Sequence, residues 1–189
     1  MRIGIDIDDT MTNIRDDLIK AAIKYDKFLG GSGNYNYSSY YPSRVFNWNE
    51  NERHYYMSTI RRNVVNNAKI REGLLEVLNK LIKNNEIIII TARSDFYYKD
   101  PLNMTINWLK KEHIPYNKLF INSTDKGITC KENKIDIFID DNPKHCMEAY
   151  NVGCKVFIMN NNNDNICDNK DIVRVNNFYE FYEKIKDDF

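Results

Sequence analysis

The sequence predicts an α/β fold in which a mostly parallel sheet is flanked by helices, with a small helical insert after the first strand. Two kinds of apolar pattern alternate along the 189 residues: short runs rich in Ile and Val, and stretches with helical spacing. This alternation is typical of strands and helices taken in turn around a parallel sheet. A polar, aromatic stretch interrupts the alternation after the first run.

Six short apolar runs are predicted to be buried strands, because short continuous runs bounded by turn residues are typical of parallel sheets. Helical apolar periods lie between them at about residues 14–25, 74–82 and 104–109, and a last helix is predicted at about residues 178–185. The predicted strands are Arg2–Ile7, Ile87–Ile90, Leu119–Ile121, Ile135–Ile139, Lys155–Met159 and Ile172–Val175.

Residues 12–69 are predicted to form a helical insert, which leaves residues 1–11 and 70–189 as the core. The insert contains a turn-rich stretch, Gly30–Asn49, and then a polar helical pattern over Glu50–Asn67. A second unusual tract, Asn160–Asn165, is predicted to be a solvated surface loop without a function.

The charge balance argues against binding to long nucleic acid or to an acidic membrane. Lys and Arg total 27, as do Asp and Glu, so no net field attracts a polyanion. The chain opens on a predicted strand rather than a signal peptide, which predicts a soluble cytoplasmic protein. The four cysteines are predicted to be reduced, with Cys146 and Cys154 packed in the core.

Side chains capable of chemistry follow four of the predicted strands, each where the chain leaves the sheet. In parallel α/β sheets, ligands bind at the carboxyl ends of the strands. The four strand ends carry an acid pair, a hydroxyl, an ammonium group and a second acid pair: Asp6 and Asp8, Thr91, Lys126, and Asp140 and Asp141.

Each strand end also has an ordinary structural interpretation. Asp and Thr are good helix N-caps, and Asn142 before Pro143 is typical of a helix start. Lys126 alone would be a solvated charge. Together, however, the four acids would repel one another unless a cation joined them, and hard carboxylate oxygens suit Mg²⁺. The combination therefore predicts a magnesium site.

The order of these motifs, DxDxT, then Thr, Lys and Asp-Asp, resembles the haloacid dehalogenase (HAD) superfamily of aspartyl phosphatases. The strings Ile88–Arg93 and Ile135–Pro143, with a helical insert after the first motif, are most similar to its 5'(3')-deoxyribonucleotidase branch, a cytosolic type of nucleotidase. The resemblance implies a Rossmann-like core with the insert as a cap, and a Mg²⁺-dependent phosphomonoesterase.

The resemblance also implies roles for the acids. Asp6 would attack phosphorus and form an aspartyl-phosphate, while Asp8 would act as general acid and then as general base. Mg²⁺ would be held by Asp6, the backbone carbonyl of Asp8, and Asp140 or Asp141.

Phosphate binding would fall to the second and third strand ends. Thr91, Ala92 and Lys126 would hold the phosphoryl oxygens as charge builds in the transition state. Arg93 would steady the Thr91 turn or reach the substrate. Lys126 is preferred over Lys131 and Lys134 because it directly follows a strand end, whereas Lys134 begins the next strand, roughly 20 Å from its acidic end.

The aromatic residues of the insert favour a nucleoside monophosphate as the substrate, because aromatic faces stack on nucleobases. Phe46 and Trp48 are predicted to contact the substrate, since alternation along an extended segment directs both to one face. Most of the others are expected to pack within the insert. Eight aromatic residues of the insert follow its first helical period: Tyr35, Tyr37, Tyr40, Tyr41, Phe46, Trp48, Tyr55 and Tyr56, with Phe28 just before them.

Other functions stay open at this point. A HAD phosphatase acting on sugar phosphates or on nucleic-acid ends would use the same core. A non-catalytic module that binds a nucleotide and Mg²⁺ is the competing class. The dispersed His54, His113 and His145 show no zinc-ligand spacing and are expected to be surface or packing residues.

Overall fold

The computed structural model describes residues 1–36, 42–161 and 165–188. Six parallel strands form one sheet in the order β3-β2-β1-β4-β5-β6. The predicted α/β fold with a parallel sheet is therefore confirmed. The strands are β1 (Arg2–Ile5), β2 (Glu86–Ile90), β3 (Lys118–Phe120), β4 (Ile137–Asp140), β5 (Lys155–Met159) and β6 (Val173–Val175).

Eight α-helices accompany the sheet in the described part of the chain. One face of the sheet packs against α4, α5 and α8, and the other packs against α6 and α7. The helices are α1 (Arg15–Phe28), α2 (Glu50–Tyr55), α3 (Arg62–Asn66), α4 (Leu74–Leu81), α5 (Pro101–Lys111), α6 (Lys126–Glu132), α7 (Pro143–Asn151) and α8 (Phe178–Ile185).

The unbroken Ile run of β2 is explained by burial on both faces. Ile87 and Ile89 belong to one apolar cluster, while Ile88 and Ile90 belong to the other. Successive side chains of a strand point to opposite faces, so a strand covered on both sides needs apolar residues throughout. Gly4 of β1 is required for a different reason: a Cβ there would lie 2.9 Å from the ring of Phe138.

The chain changes direction across the sheet at β1. Strands β2 and β3 lie on one side of β1, and β4 to β6 lie on the other. A crevice opens at such a switch point, beyond the carboxyl ends of the two central strands. The backbone N–H of Asp6 donates to the carbonyl of Ile139 at 3.1 Å, so the ends of β1 and β4 are joined at this crevice.

A third apolar cluster lies away from the sheet and is built by α1, the π-helical segment Tyr56–Arg61 and the stretch that carries Phe46 and Trp48. The chain leaves and rejoins the core at adjacent points, because Thr12 and Ile70 form an antiparallel bridge. We therefore keep residues 12–69 as the proposed boundaries of the cap. Of the predicted cap aromatics, Tyr37, Tyr40 and Tyr41 lie outside the described residues.

Within residues 1–36, 42–161 and 165–188, no helix combines the length and apolar character needed to cross a membrane. Cys146 and Cys154 are buried free thiols, as predicted, and so is Cys130.

Candidate active site

The three aspartates at the end of β1, Asp6, Asp8 and Asp9, have two different roles. Asp9 has the left-handed φ of 66°, and its Oδ1 accepts the backbone N–H groups of Ile14 and Arg15 at 3.0 and 2.8 Å. It therefore caps the start of α1, the ordinary role that the sequence allowed for this motif. Asp6 and Asp8 do not cap this helix, and both line the crevice.

Asp8 is held by two arginines. Arg93 donates to both carboxylate oxygens, from Nη2 to Oδ1 at 2.6 Å and from Nε to Oδ2 at 3.2 Å. Arg61, from the cap, places Nη2 3.6 Å from Oδ2. Burial alone would raise the pKa of Asp8, but the two guanidinium groups hold it below its ordinary value. Asp8 is therefore ionised in the free protein.

The second strand end delivers Thr91, Ala92 and Arg93 to the crevice. The backbone N–H of Thr91 continues the sheet by donating to the carbonyl of Phe120 at 2.9 Å. The Thr91 hydroxyl accepts the backbone N–H of Arg93 at 3.3 Å. Arg93 does not extend into open space, since its side chain is 1% exposed and its guanidinium lies 5.4 Å from the ring of Trp108. In this structure the guanidinium of Arg93 binds Asp8.

Lys126 is the first residue of α6, and its ammonium group lies between Asp6 and Asp140. Nζ donates to Asp6 Oδ1, and to Asp140 Oδ2 at 2.6 Å, while the side chain is only 1% exposed. The next residue explains how α6 approaches so closely, because a Cβ at Gly127 would lie 2.6 Å from the carbonyl oxygen of Glu148 in α7. Lys131 and Lys134 are exposed, so the structure brings the predicted lysine to the acids.

The fourth strand end supplies two buried acids and a helix cap. Asp140 Oδ1 accepts the Asn142 N–H at 2.8 Å, and Asn142 caps α7 by accepting the N–H of Lys144 at 3.0 Å, with Pro143 at the first helical position. Carboxylate oxygens of Asp6, Asp140 and Asp141 all lie within 4.8 Å of one another. Three of the four predicted acids thus meet at one point, at the switch of the sheet, while the Asp8 carboxylate binds Arg93 and Arg61 instead.

Burial and the ammonium group of Lys126 shift the pKa values of Asp6 and Asp140 in opposite directions. Burial raises the pKa of Asp6 to about 6, although Lys126 opposes the rise. Burial would also raise the pKa of Asp140, but Lys126 and His145 lower it to about 2. Burial would lower the pKa of Lys126, yet Asp140 and Asp6 raise it above its ordinary value. Lys126 and Asp140 therefore form an ion pair, and Asp6 takes up a proton more readily than Asp140.

A cavity of about 330 Å³ lies over the acid cluster, between the core and the cap. Its floor is formed by the four strand ends. Its upper wall comes from the cap and from the loop after β2, and mixes cationic with apolar side chains: Arg15, Leu18, Arg44, Tyr56, Met57, Arg61, Tyr97 and Tyr98.

The prediction that Phe46 and Trp48 bind substrate is corrected by their burial. Their rings stack on each other with centroids 5.0 Å apart, and the residues are 7% and 6% exposed within the apolar cluster of the cap. The indole N–H of Trp48 donates to Asp26 Oδ1 at 3.0 Å. Alternation did direct both side chains to one face, but that face packs inside the cap rather than against the cavity.

Two further expectations need correction. His145 is not a simple surface or packing residue: its Nδ1 lies 3.5 Å from Asp140 Oδ2, and it lines the cavity. The asparagine-rich tract is not wholly solvated, because Asn161 and Asn165 are 4% and 1% exposed and hydrogen-bond to Asp141. Its residues 162–164 lie outside the described residues.

Sequence reasoning missed Arg61 and Tyr98. Arg61 Nη1 donates to the Tyr98 hydroxyl, and this pair joins the cap to the loop after β2 directly above Asp8. No sequence feature distinguishes Arg61 from the other basic residues of the polar stretch. Its side chain reaches the cavity because it is the last residue of the π-helical segment Tyr56–Arg61. Such segments are frequent at functional sites, but they leave no simple sequence signal.

Comparisons with known proteins agree with this geometry. A family model described as "5' nucleotidase, deoxy (Pyrimidine), cytosolic type C protein" matches residues 1–187. A nucleotidase of Clostridium acetobutylicum is 29% identical over 146 residues, which are 77% of this chain and 74% of the relative.

Two solved structures share the fold. A HAD-superfamily hydrolase of Geobacter sulfurreducens has a TM-score of 0.62 and 13% identity, covering 97% of this chain and 95% of that chain. The HAD hydrolase YfnB of Bacillus subtilis, in a structure bound to magnesium, has a TM-score of 0.64 and 13% identity, covering 98% of both chains. With its family match over nearly the full length, the chain belongs to the cytosolic type C family of 5'-nucleotidases, a phosphatase branch of the HAD superfamily of hydrolases.

Proposed function

We propose that this enzyme hydrolyses small phosphate monoesters, with nucleoside monophosphates as the substrate class, by way of a phosphorylated Asp6 and with the help of Mg²⁺. One observation carries the proposal: Asp6, Asp140 and Asp141 converge, with Lys126 bound to the first two, at the floor of a cavity that the cap covers. The family match supports the choice of a nucleotide. The cytoplasmic location is a prediction from the sequence alone.

The acid cluster fits a divalent cation. Three buried carboxylates and one ammonium group leave two negative charges, which Mg²⁺ would balance, and carboxylate oxygens are its preferred protein ligands. Asp6, Asp140 and Asp141 would hold the ion, with the backbone carbonyl of Asp8 as a further ligand. When bound, the ion would neutralise charge on Asp6 and on the substrate phosphate so that the two can approach.

Asp6 would form the new bond to phosphorus while the bond from phosphorus to the leaving oxygen breaks. Lys126 orients this nucleophile, since its ammonium group binds Asp6 Oδ1 and is itself fixed by Asp140. In the second half-reaction, water attacks phosphorus, the bond to Asp6 breaks and inorganic phosphate is released. Asp6 returns unchanged, so the net reaction consumes one ester and one water.

Asp8 would move the protons. Because Asp8 is ionised in the free protein, it would first take up a proton from solvent when the negatively charged substrate enters the cavity. It would then donate this proton to the leaving oxygen and, ionised again, accept a proton from the attacking water. The fork of Arg93 fixes the plane of this carboxylate, and the buried Trp108 ring supports Arg93 in turn. Arg93 is thus a positioning residue for Asp8 in this proposal, and a direct contact between Arg93 and substrate stays a prediction.

The phosphoryl oxygens would be bound by the Thr91 hydroxyl, the Ala92 backbone N–H and Lys126. All three residues line the cavity beside Asp6. Donors fixed in advance at a buried site stabilise transition-state charge without the cost of reorganising water.

The base of the substrate would lie against the upper wall of the cavity. Met57 and Tyr97 supply its accessible apolar surface, in place of the buried Phe46 and Trp48; Tyr56 also borders the cavity but is only 1% exposed. Stacking against such surfaces contributes about 1 to 3 kcal/mol per base.

The substrate class can be tested by a panel of phosphate monoesters. We expect release of phosphate only with Mg²⁺ present, and a higher kcat/KM for dUMP or dTMP than for glucose 6-phosphate, glycerol phosphate or a 5'-phosphorylated oligonucleotide. Phosphate release should be measured with each substrate at equal ionic strength, with and without chelator. Equal rates across the panel would remove the nucleotide assignment and keep the phosphatase, whereas inactivity with every divalent metal would favour a binding module.

Arg61 provides a test of the cap's part in the reaction. Because Arg61 helps to fix Asp8, Arg61→Gln is expected to lower kcat for nucleoside monophosphates on the order of 10- to 100-fold. With p-nitrophenyl phosphate, the rate of the first step should fall less, because nitrophenolate leaves without a proton.

Arg62→Gln is the matched control, because Arg62 is adjacent in the sequence but its charge acts on Asp100 rather than in the cavity. Steady-state values of kcat and KM for both variants distinguish positioning of Asp8 from binding of substrate. A rise in KM alone for Arg61→Gln would mean that Arg61 binds substrate and does not position Asp8.

A further inference from the structure

A buried polar network surrounds Asp141. Asp141 Oδ1 accepts from the Thr10 hydroxyl at 3.2 Å, and Oδ2 accepts from Asn161 Nδ2 at 3.1 Å. The Asp141 backbone carbonyl accepts from Asn165 Nδ2 at 2.7 Å. These residues are almost inaccessible: Thr10 is 0%, Asn161 4% and Asn165 1% exposed.

Two arginines fix which way the asparagine amides point. Arg71 Nη2 donates to Asn161 Oδ1, and Arg174 Nη1 donates to Asn165 Oδ1 at 2.8 Å. A flipped Asn161 would bring its amide oxygen against the carboxylate of Asp141 and its NH₂ group against a guanidinium, and both contacts are repulsive. Each amide can therefore serve Asp141 in one orientation only.

Arg71 links this network to the base of the cap. Its Nε donates to the Thr12 carbonyl and its Nη2 to the Asp9 carbonyl, both at 2.9 Å, while its backbone N–H donates to the Met11 carbonyl at 2.8 Å. The guanidinium that orients Asn161 thus also fixes the chain where it enters the cap.

We propose that Thr10, Asn161 and Asn165 are positioning residues that hold the Asp141 carboxylate in the orientation needed to bind a divalent cation. This inference rests on the metal site of the proposed function. Thr10 and Asn161 are neutral donors, so their hydrogen bonds orient the Asp141 carboxylate without cancelling the negative charge that attracts a cation. Partners that orient a ligand in this way typically change metal affinity 10- to 100-fold when removed.

The asparagine-rich tract thereby gains a function. Asn161 and Asn165 follow β5, which pairs with β4 directly beside the site. The carboxyl end of β5 thus contributes to the site through hydrogen bonds to Asp141 rather than through a metal ligand. This role accounts for the burial of two amides of the tract.

The test is calorimetric titration of Mg²⁺, or of Mn²⁺ followed by electron paramagnetic resonance, into purified protein without substrate. Asn161→Ala and Thr10→Val are expected to weaken binding by about 10- to 100-fold. Asn169→Ala is the matched control, because Asn169 also lies between β5 and β6 but bonds to Asp171 and Met147 rather than to the network around Asp141. Its metal affinity should equal that of the wild type.

Thr10→Val keeps the test valid if Asn161→Ala fails to fold, since it removes one hydroxyl and retains the shape of the side chain. Turnover adds a second readout: high Mg²⁺ should restore kcat in both variants, and a purely structural defect would not respond to the ion. Equal affinities in wild type and folded variants would overturn this inference alone. A wild-type protein that binds no divalent cation would overturn the proposed metal site and this inference together.

Discussion

Asp6→Asn is expected to reduce turnover of p-nitrophenyl phosphate on the order of 10⁴-fold or more, to the background of the assay. An amide oxygen is a poor nucleophile, and the substitution also removes one of three charges that would bind Mg²⁺. The shape of the side chain is kept and Lys126 retains its partner Asp140, so the protein should still fold.

The matched control is Asp16→Asn, since Asp16 is an exposed aspartate in the first turn of α1. Phosphate release should be measured for both variants, together with thermal unfolding. If Asp6→Asn retained a tenth of the wild-type rate while folded, another group would have to be the nucleophile.

Lys126→Met is expected to have two large effects. Loss of a fixed cation at the phosphoryl oxygens should lower kcat about 10²- to 10³-fold. Removal of one partner from a buried ion pair should also cost about 3 to 5 kcal/mol in the free energy of unfolding. The side chains of Lys126, Asp6 and Asp140 are 1%, 7% and 1% exposed, so water does little to reduce that penalty.

Mg²⁺ separates these two effects. A bound divalent cation would neutralise the acids that Lys126→Met leaves unpaired, so Mg²⁺ should restore much of the stability of the variant but little of its kcat. Lys131→Met, in an exposed position of the same helix, is the control and should leave both unchanged. Chemical denaturation with and without Mg²⁺ measures the stability change, and equal stability of Lys126→Met and wild type without the metal would contradict the ion-pair account.

The sheet and its site were predictable because they depend on local patterns. Runs such as Ile87–Ile90 are typical of strands buried on both faces of a covered parallel sheet, and polar residues directly after such strands lie at its carboxyl edge. The same reasoning distinguished Lys126 from Lys131, since only the first directly follows a strand end. The strand order brought these ends together at the switch between β1 and β4.

The upper wall of the site was not predictable in this way. A cap aromatic can pack inside the cap or line the cavity with the same local pattern, so Phe46 and Trp48 could not be distinguished from Tyr56. Burial of a polar tract likewise depends on distant partners: Asn161 is buried because Arg71, 90 residues earlier in the chain, reaches it. Such pairings depend on tertiary geometry, which composition does not reveal.

Trapping the phosphorylated protein would decide whether Asp6 carries the phosphoryl group from ester to water. In Asp8→Asn with p-nitrophenyl phosphate, the first step needs no proton for its leaving group, while the second step loses its base. We predict a burst of about one nitrophenolate per protein molecule. After acid quench, borohydride reduction should convert residue 6, identified by mass spectrometry, to homoserine. A burst with residue 6 unmodified, or with the modification on another carboxylate, would contradict the mechanism.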